Sequence, residues 1–163
     1  MFAHFGLGLT LLGIICETNY GAEQIAAVTP GHTISIRGYD LTFDGLVPRR
    51  GSNYSELLAK FSVRRGGQVI GVMERAKRSF TARGATTTEA ALMTRGLSQL
   101  YLSLGDPNTD GSVAVRLYHK PLVLLIWIGA LVMFVGGALS LADRRLRVGA
   151  PKPARKAALQ PAE

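Results

Sequence analysis

Three histidines and one cysteine are the residues of this chain best suited to cofactor or covalent chemistry. His4 stands apart among them: it lies between Ala3 and Phe5 in an apolar run, with Gly6 close by and Gly8 one helical turn on. An ionisable group at membrane depth is costly and usually marks a working site, and imidazole is the standard axial donor to haem iron. The two glycines leave room beside the ring for a flat macrocycle. A second reading stays open, in which His4 is so near the start of the run that it only reaches the headgroups. His32 follows Pro30-Gly31 at a strand entrance and His119 abuts Lys120-Pro121, and both read as solvated or interfacial residues. Cys16 is the single cysteine, so no internal disulfide can form. Ile15 before it is too bulky for lipoprotein processing, and no basic residue precedes the run as a secretory leader requires. Cys16 therefore reads as a buried thiol at a helix end. Glu74 and Glu89 lie near apolar strand ends and read as surface charges. No Cys/His set has zinc spacing, no glycine loop has the phosphate-binding pattern, and no nucleophilic triad has a readable signature.

Two apolar segments must position these groups. Residues 1–16 form the first, about 24 Å long as a helix at 1.5 Å per residue. A bilayer core is about 30 Å thick, so this segment is expected to be a truncated transmembrane helix. The second, residues 121–142, carries no charged residue and is rich in Leu, Ile, Val and Phe. Lys120-Pro121 opens it and Asp143-Arg144-Arg145 closes it, as expected of a transmembrane helix. Gly129, Gly136 and Ser140 recur at seven- and four-residue spacing and share one face, where a second helix can approach closely.

Residues 17–120 read as β structure. Ile34 and Ile36 share a face, and Leu41 and Phe43 repeat the pattern. Leu57, Ala59, Phe61 and Val63 alternate strictly; Arg64-Arg65-Gly66-Gly67 then offers a turn, and Gln68 to Met73 returns as the partner strand. A second hairpin joins Gln99–Leu104 to Ser112–Tyr118. Thr88 to Leu100 is ambiguous, with helix-favouring Glu, Ala and Leu interrupted by Gly96. The fold class expected is membrane-anchored and mainly β: a small antiparallel barrel or sandwich between two transmembrane helices.

Half of the net charge of +8 lies in the tail, residues 143–163. A basic tail next to a span is what the positive-inside bias leaves, and with no recognition module or basic-aromatic stripe it does not indicate nucleic acid. The tail is expected to be cytoplasmic and disordered. Two spans then put both ends in the cytoplasm and the β domain in the periplasm of a bacterial inner membrane.

Several stretches resemble the C-terminal part of the CcmF family of cytochrome c-type biogenesis proteins. They are Ala3-His4-Phe5-Gly6, Thr88-Glu89-Ala90-Ala91 and Leu100-Tyr101-Leu102-Ser103-Leu104-Gly105, then Val115-Arg116-Leu117-Tyr118-His119-Lys120-Pro121. The likeness continues through Ile126-Trp127-Ile128-Gly129-Ala130, Gly136-Gly137-Ala138-Leu139 and Asp143-Arg144-Arg145. The resemblance implies a haem lyase subunit of the inner membrane. Such a subunit takes haem from the periplasmic haem chaperone CcmE and joins it to the paired thiols of an apocytochrome c. It works with CcmH and CcmI-like subunits. The resemblance also implies a b-type haem between transmembrane histidines, and it places His4 as one axial ligand of that haem iron in the complete protein. His119 stands where the family often has an aromatic residue, so no haem role is carried onto it.

A complete CcmF protein is several times longer. Its Trp-rich periplasmic segment, its periplasmic axial histidines and the second ligand of the b-type haem have no counterpart here. The chain is therefore expected to be a fragment or one piece of a split protein, acting with the upstream part of CcmF and holding no complete active site. The competing expectation is a membrane-tethered periplasmic β domain that scaffolds or binds a partner and never touches haem.

Overall fold

The computed structural model describes residues 1–80, 86–108 and 111–142; the tail, with its expected disorder and cytoplasmic placement, lies outside them. Helix α1 spans Phe2–Tyr20 and helix α2 spans Leu124–Ala142. Between them run β1 (Ala22–Val28), β2 (Thr33–Ile36), β3 (Tyr39–Arg50), β4 (Tyr54–Arg65), β5 (Gln68–Phe80), β6 (Thr86–Thr88), β7 (Ala91–Arg95), β8 (Ser98–Pro107) and β9 (Val113–Lys120). All strand pairs are antiparallel. One sheet has the order β1-β9-β8-β7 and the other β2-β3-β4-β5-β6. Two separate sheets facing each other make a sandwich, which resolves the choice between barrel and sandwich.

The core follows from the period of two. Phe43, Phe61, Leu41, Val63 and Ile34 from the larger sheet meet Val28, Leu100, Leu102, Val113, Val115 and Leu117 from the smaller one, all essentially sealed from solvent. Phe43 and Phe61 are opposite each other in the β3–β4 register, and their rings stack at 4.9 Å. Of the alternating set on β4, Ala59, Phe61 and Val63 are buried while Leu57 is only half-buried. The outer stretch of β4 instead buries Glu56 and Leu58 on its other face. The hairpin through Arg64-Arg65-Gly66-Gly67 forms as the turn residues require, with Gly66 and Gly67 both at positive φ. The ambiguous stretch from Thr88 to Leu100 is extended: β7 turns at Gly96-Leu97 into β8. Pairing across the sheet overrides the helix propensity of its Glu, Ala and Leu.

The helix bounds differ from those expected. α1 runs four residues beyond Cys16, and Cys16 is half-buried within it. α2 begins at Leu124 because Leu122, at φ 52, breaks the chain away from β9. The helices pack antiparallel along a seam of small residues. A Cβ on Gly6 would lie 2.6 Å from the Gly129 carbonyl oxygen, and one on Gly136 would lie 2.8 Å from the Ala3 nitrogen. Gly129 and Gly136 thus present one face, and Gly6 and Gly13 of α1 answer it with the same seven-residue spacing. Thr10 sits between them and donates to the Gly6 carbonyl at 3.1 Å. Introducing a side chain here forces the backbones apart, a change that typically costs about 1–3 kcal/mol. Gly129→Leu is expected to lower the melting temperature of the helix pair, followed through the fluorescence of Trp127; an unchanged transition would show that the seam is not a close contact.

Candidate functional site

Strand directions place two strand–helix joints and three hairpin turns at one end of the sandwich. α1 passes into β1 through Gly21 alone, and β9 passes into α2 through residues 121–123. The N–H of Gly21 donates to the Glu17 carbonyl at 2.9 Å, and any side chain there would collide with that same oxygen. Lys120 at the end of β9 pairs with Glu17 of α1 at 2.9 Å, closing the base of the two helices. The β2–β3 turn, Arg37-Gly38, and the β4–β5 turn arrive at the same end, as does the β7–β8 turn, whose Leu97 carbonyl accepts from the Leu124 N–H at 3.3 Å.

His119 sits in this rim. Its register neighbours are Ala22 on β1 and Leu100 on β8, and its ring lies 5.9 Å from that of Tyr39 at the start of β3. Arg65, opposite Tyr39 in the β3–β4 register, donates to the Tyr39 hydroxyl at 3.2 Å and stacks its guanidinium 4.8 Å over the same ring. The Nδ1 atom of His119 is sealed from solvent without a hydrogen-bond partner, the one such side-chain atom among the described residues. A buried polar atom left unpaired is uncommon and asks for a reason. Burial, then the positive charges of Arg37 and Arg65, push the pKa of His119 below its ordinary 6.5. A proton on the other nitrogen, Nε2, leaves only a lone pair at the sealed position, which is the less costly tautomer. The unfolded chain takes up a proton near pH 6.5, before the folded one does, so stability is fully present above that pH and falls as pH drops through it. The melting temperature of the native chain is expected to fall between pH 7.5 and 5.5 by more than that of a His119→Phe variant; parallel curves would show that the imidazole does not respond to this environment.

His4 lies elsewhere. It is exposed on α1, on the side turned away from α2, and Gly8 one turn on has nothing within 4 Å of where a Cβ would be. His32 is exposed at the far end of the sandwich, in the turn between β1 and β2, where its carbonyl accepts from the Phe43 N–H at 2.9 Å. Seventeen residues of rise put His4 about 26 Å below Gly21, and six of β1 put the far turn about 20 Å above Ala22. The three histidines are therefore not brought together, and the described residues contain no group of three His, Cys, Asp or Glu able to hold a metal ion. The face of α1 beside His4 is open.

Sequence reasoning took His119 for a solvated or interfacial residue, whereas the ring is half-buried and Nδ1 sealed. The residues it sits among come from three hairpin ends far apart in sequence. A second group also went unread. Arg78 bridges the buried Glu56 at 2.9 Å and the exposed Glu89 at 2.6 Å, and Arg75, also buried, donates to the Glu89 carbonyl. Desolvation lowers the pKa of Arg75, while the bond to Glu56 raises that of Arg78. Glu74 and Glu89 are exposed and ion-paired.

Comparison with known proteins places this arrangement. Residues 19–121, more than half of the chain, match the family model described as the CcmF C-terminal β-sandwich. A cytochrome c-type biogenesis protein CycK of Bradyrhizobium diazoefficiens is 60% identical over 99% of this chain and 24% of its own length. A cytochrome c-type biogenesis protein CcmF of Pseudomonas aeruginosa is 37% identical over 90% of this chain and 22% of its own. A solved structure of the cytochrome c haem lyase CcmF shares the fold, with a TM-score of 0.70 at 18% identity over 87% of this chain and 24% of that one. The chain thus spans about a quarter of the length of these relatives. Sandwich and sequence agree: the chain belongs to the CcmF family of cytochrome c-type biogenesis proteins and carries its C-terminal β-sandwich.

Proposed function

We propose that this chain is the C-terminal part of a haem lyase subunit of cytochrome c maturation, and that it contributes one wall of a haem site and a periplasmic platform to a larger membrane complex. The observation that carries the reading is the face of α1 bearing His4 and Gly8, which is open and apolar and has no partner within the described chain. α2 is long and apolar enough to cross a membrane, with mean hydropathy 2.3. The outward surfaces of both helices are apolar: Phe5, Leu11 and Ile15 on α1, and Trp127, Leu131 and Phe134 on α2 are all exposed. In this reading residues 1–16 and 121–142 lie in the bacterial inner membrane, 17–120 in the periplasm and 143–163 in the cytoplasm.

A b-type haem, when bound, would supply an iron that imidazole nitrogens can hold. His4 offers one such nitrogen from α1, Gly8 leaves space for the ring edge, and the surrounding Leu and Phe side chains exclude water. The second ligand belongs to the upstream part of CcmF. CcmE as haem donor, CcmH and CcmI-like subunits and the apocytochrome c are the partners this role requires. Co-expressing the chain with the upstream part, in cells lacking their own lyase subunit, is expected to restore covalently haem-stained cytochrome c; either part alone is not. Restoration without this chain would overturn the reading.

The topology has its own test. In a Cys16→Ser background, a cysteine at Asn108, in the turn after β8, is expected to react with a membrane-impermeant maleimide from the periplasmic side. Protection there, with reaction at a tail position, would mean the chain is inverted.

A further inference from the structure

The rim around His119 was not assigned a ligand above, and its chemistry specifies one. Arg37 and Arg65 are exposed at two hairpin ends, and neither has an ion-pair partner among the described residues. Among the described residues Arg64 and Arg95 share this lack, whereas other cations of the sandwich are paired. Lys120 is held by Glu17, Arg116 by Glu23 at 3.2 Å, and Lys60 by Glu74 at 3.0 Å. Arg37 also adopts φ 48, with Gly38 at φ 79 after it. This is the turn that tightens a two-residue hairpin, and its first position ordinarily goes to Asn, Asp or Gly. A long cation therefore occupies a position where its backbone is disfavoured. His119 adds an imidazole to this rim, its ring 5.9 Å from the Tyr39 ring that carries the Arg65 guanidinium. The site as a whole gathers donors and positive charge without an anion.

The position of the rim identifies the source of that anion. Gly21 on one side and residues 121–123 on the other are the whole distance between strand and helix. If α2 crosses a bilayer, the hairpin ends carrying Arg37 and Arg65 have no room to stand away from it and lie at the depth of the headgroups. We propose that Arg37, Arg65 and His119 form a binding site for the phosphodiester of an anionic phospholipid, which fixes the sandwich against the membrane surface. Bidentate guanidinium contacts suit a phosphate's geometry, and each basic residue near an anionic surface contributes about 1 kcal/mol. The inference rests on the membrane reading of α2. That reading is checked separately, by whether the chain resists alkaline extraction from membranes.

The test uses the full chain in neutral detergent, with the ring-proton NMR signals of His119 identified by their loss in His119→Phe. Short-chain phosphatidylglycerol, short-chain phosphatidylcholine and inorganic phosphate are titrated in parallel. Phosphatidylglycerol is expected to shift the His119 signals saturably, at least tenfold more tightly than phosphatidylcholine. Inorganic phosphate is expected to leave them nearly unmoved. Arg37→Gln with Arg65→Gln should weaken the phosphatidylglycerol effect by about 30-fold, from two cations at about 1 kcal/mol each. Arg64→Gln, one residue away and opposite Asp40 in the β3–β4 register, should leave it unchanged. Equal binding of inorganic phosphate would overturn the lipid assignment in favour of a soluble anion. Equal binding of phosphatidylcholine, or an unaffected double variant with native strand signals, would overturn the site itself.

Discussion

Phe61→Asp is expected to abolish the folded sandwich. Phe61 is fully buried, and its ring stacks on Phe43 across the β3–β4 ladder. Removing a buried phenyl ring costs about 3–5 kcal/mol through lost contacts and the cavity left behind. A carboxylate in its place meets only Leu41, Val63, Met73 and their apolar neighbours, and no donor there can satisfy it. Burying an unpaired charge costs several kcal/mol more unless the group takes up a proton. Together these rival the roughly 5–15 kcal/mol that separates folded from unfolded domains. The full chain in detergent is expected to lose its near-ultraviolet circular dichroism and its cooperative melt. Val72→Lys provides the contrast. It also places a charge on a strand, but at a side chain 51% exposed, and is expected to shift stability by no more than about 0.5 kcal/mol. Equal melting temperatures for the two variants would mean that the inward and outward faces have been exchanged.

His4→Ala should remove the b-type haem of the complete assembly without removing the protein from the membrane. The chain purified alone should hold no stable haem, because a bis-imidazole site needs two rings facing each other across one iron. His32 and His119 lie beyond the other end of α1 and cannot reach a macrocycle beside His4. Co-expression with the upstream spans supplies the opposing helix. Pyridine haemochrome content reads both arms. Stoichiometric haem in the isolated chain would contradict the geometry, and full haem in the co-expressed His4→Ala protein would contradict the ligand. Gly8→Leu adds a control that leaves the imidazole in place. It fills the open space one turn on and is expected to lower haem content while His4 remains, whereas an unaffected haem content would put the macrocycle on another face.

The parts legible in the sequence were those governed by local period. Phe61 and Val63 declared their buried face by alternation, Gly66-Gly67 declared a hairpin, and Gly129 with Gly136 declared a helix contact. The second half of the helix seam is just as periodic, yet Gly6 drew notice only as space beside His4, and Gly13 drew none. Residues 91–95 stayed ambiguous because helix propensity is a property of the single chain, and their strand exists only through pairing with β8. The rim was illegible for a different reason. Arg37, Arg65 and His119 lie on separate hairpins, and nothing in their spacing states that the three ends meet. Strand order decides that, and strand order depends on which sheet each hairpin joins. Glu56 and Arg75 look like ordinary strand charges until the outer stretch of β3–β5 shows them buried.

The shortness of the joints has a mechanical consequence. β1 and β9 hydrogen-bond to each other over their full length, from Ala22–His119 to Val28–Val113, and each continues almost directly into one of two helices that themselves interlock. Four elements thus behave as two crossed levers riveted at the Glu17–Lys120 pair. If α1 turns against α2, there is no slack linker in which the torque can dissipate. It passes into the β1–β9 ladder as shear, and β8 and β7 follow because they are bonded to β9. The larger sheet shares no backbone ladder with the smaller one and is tied to it by side-chain packing and by the short links 29–32 and 89–90, so it can lag behind. A rearrangement between the two helices would therefore be felt in the sandwich as sliding between its two layers.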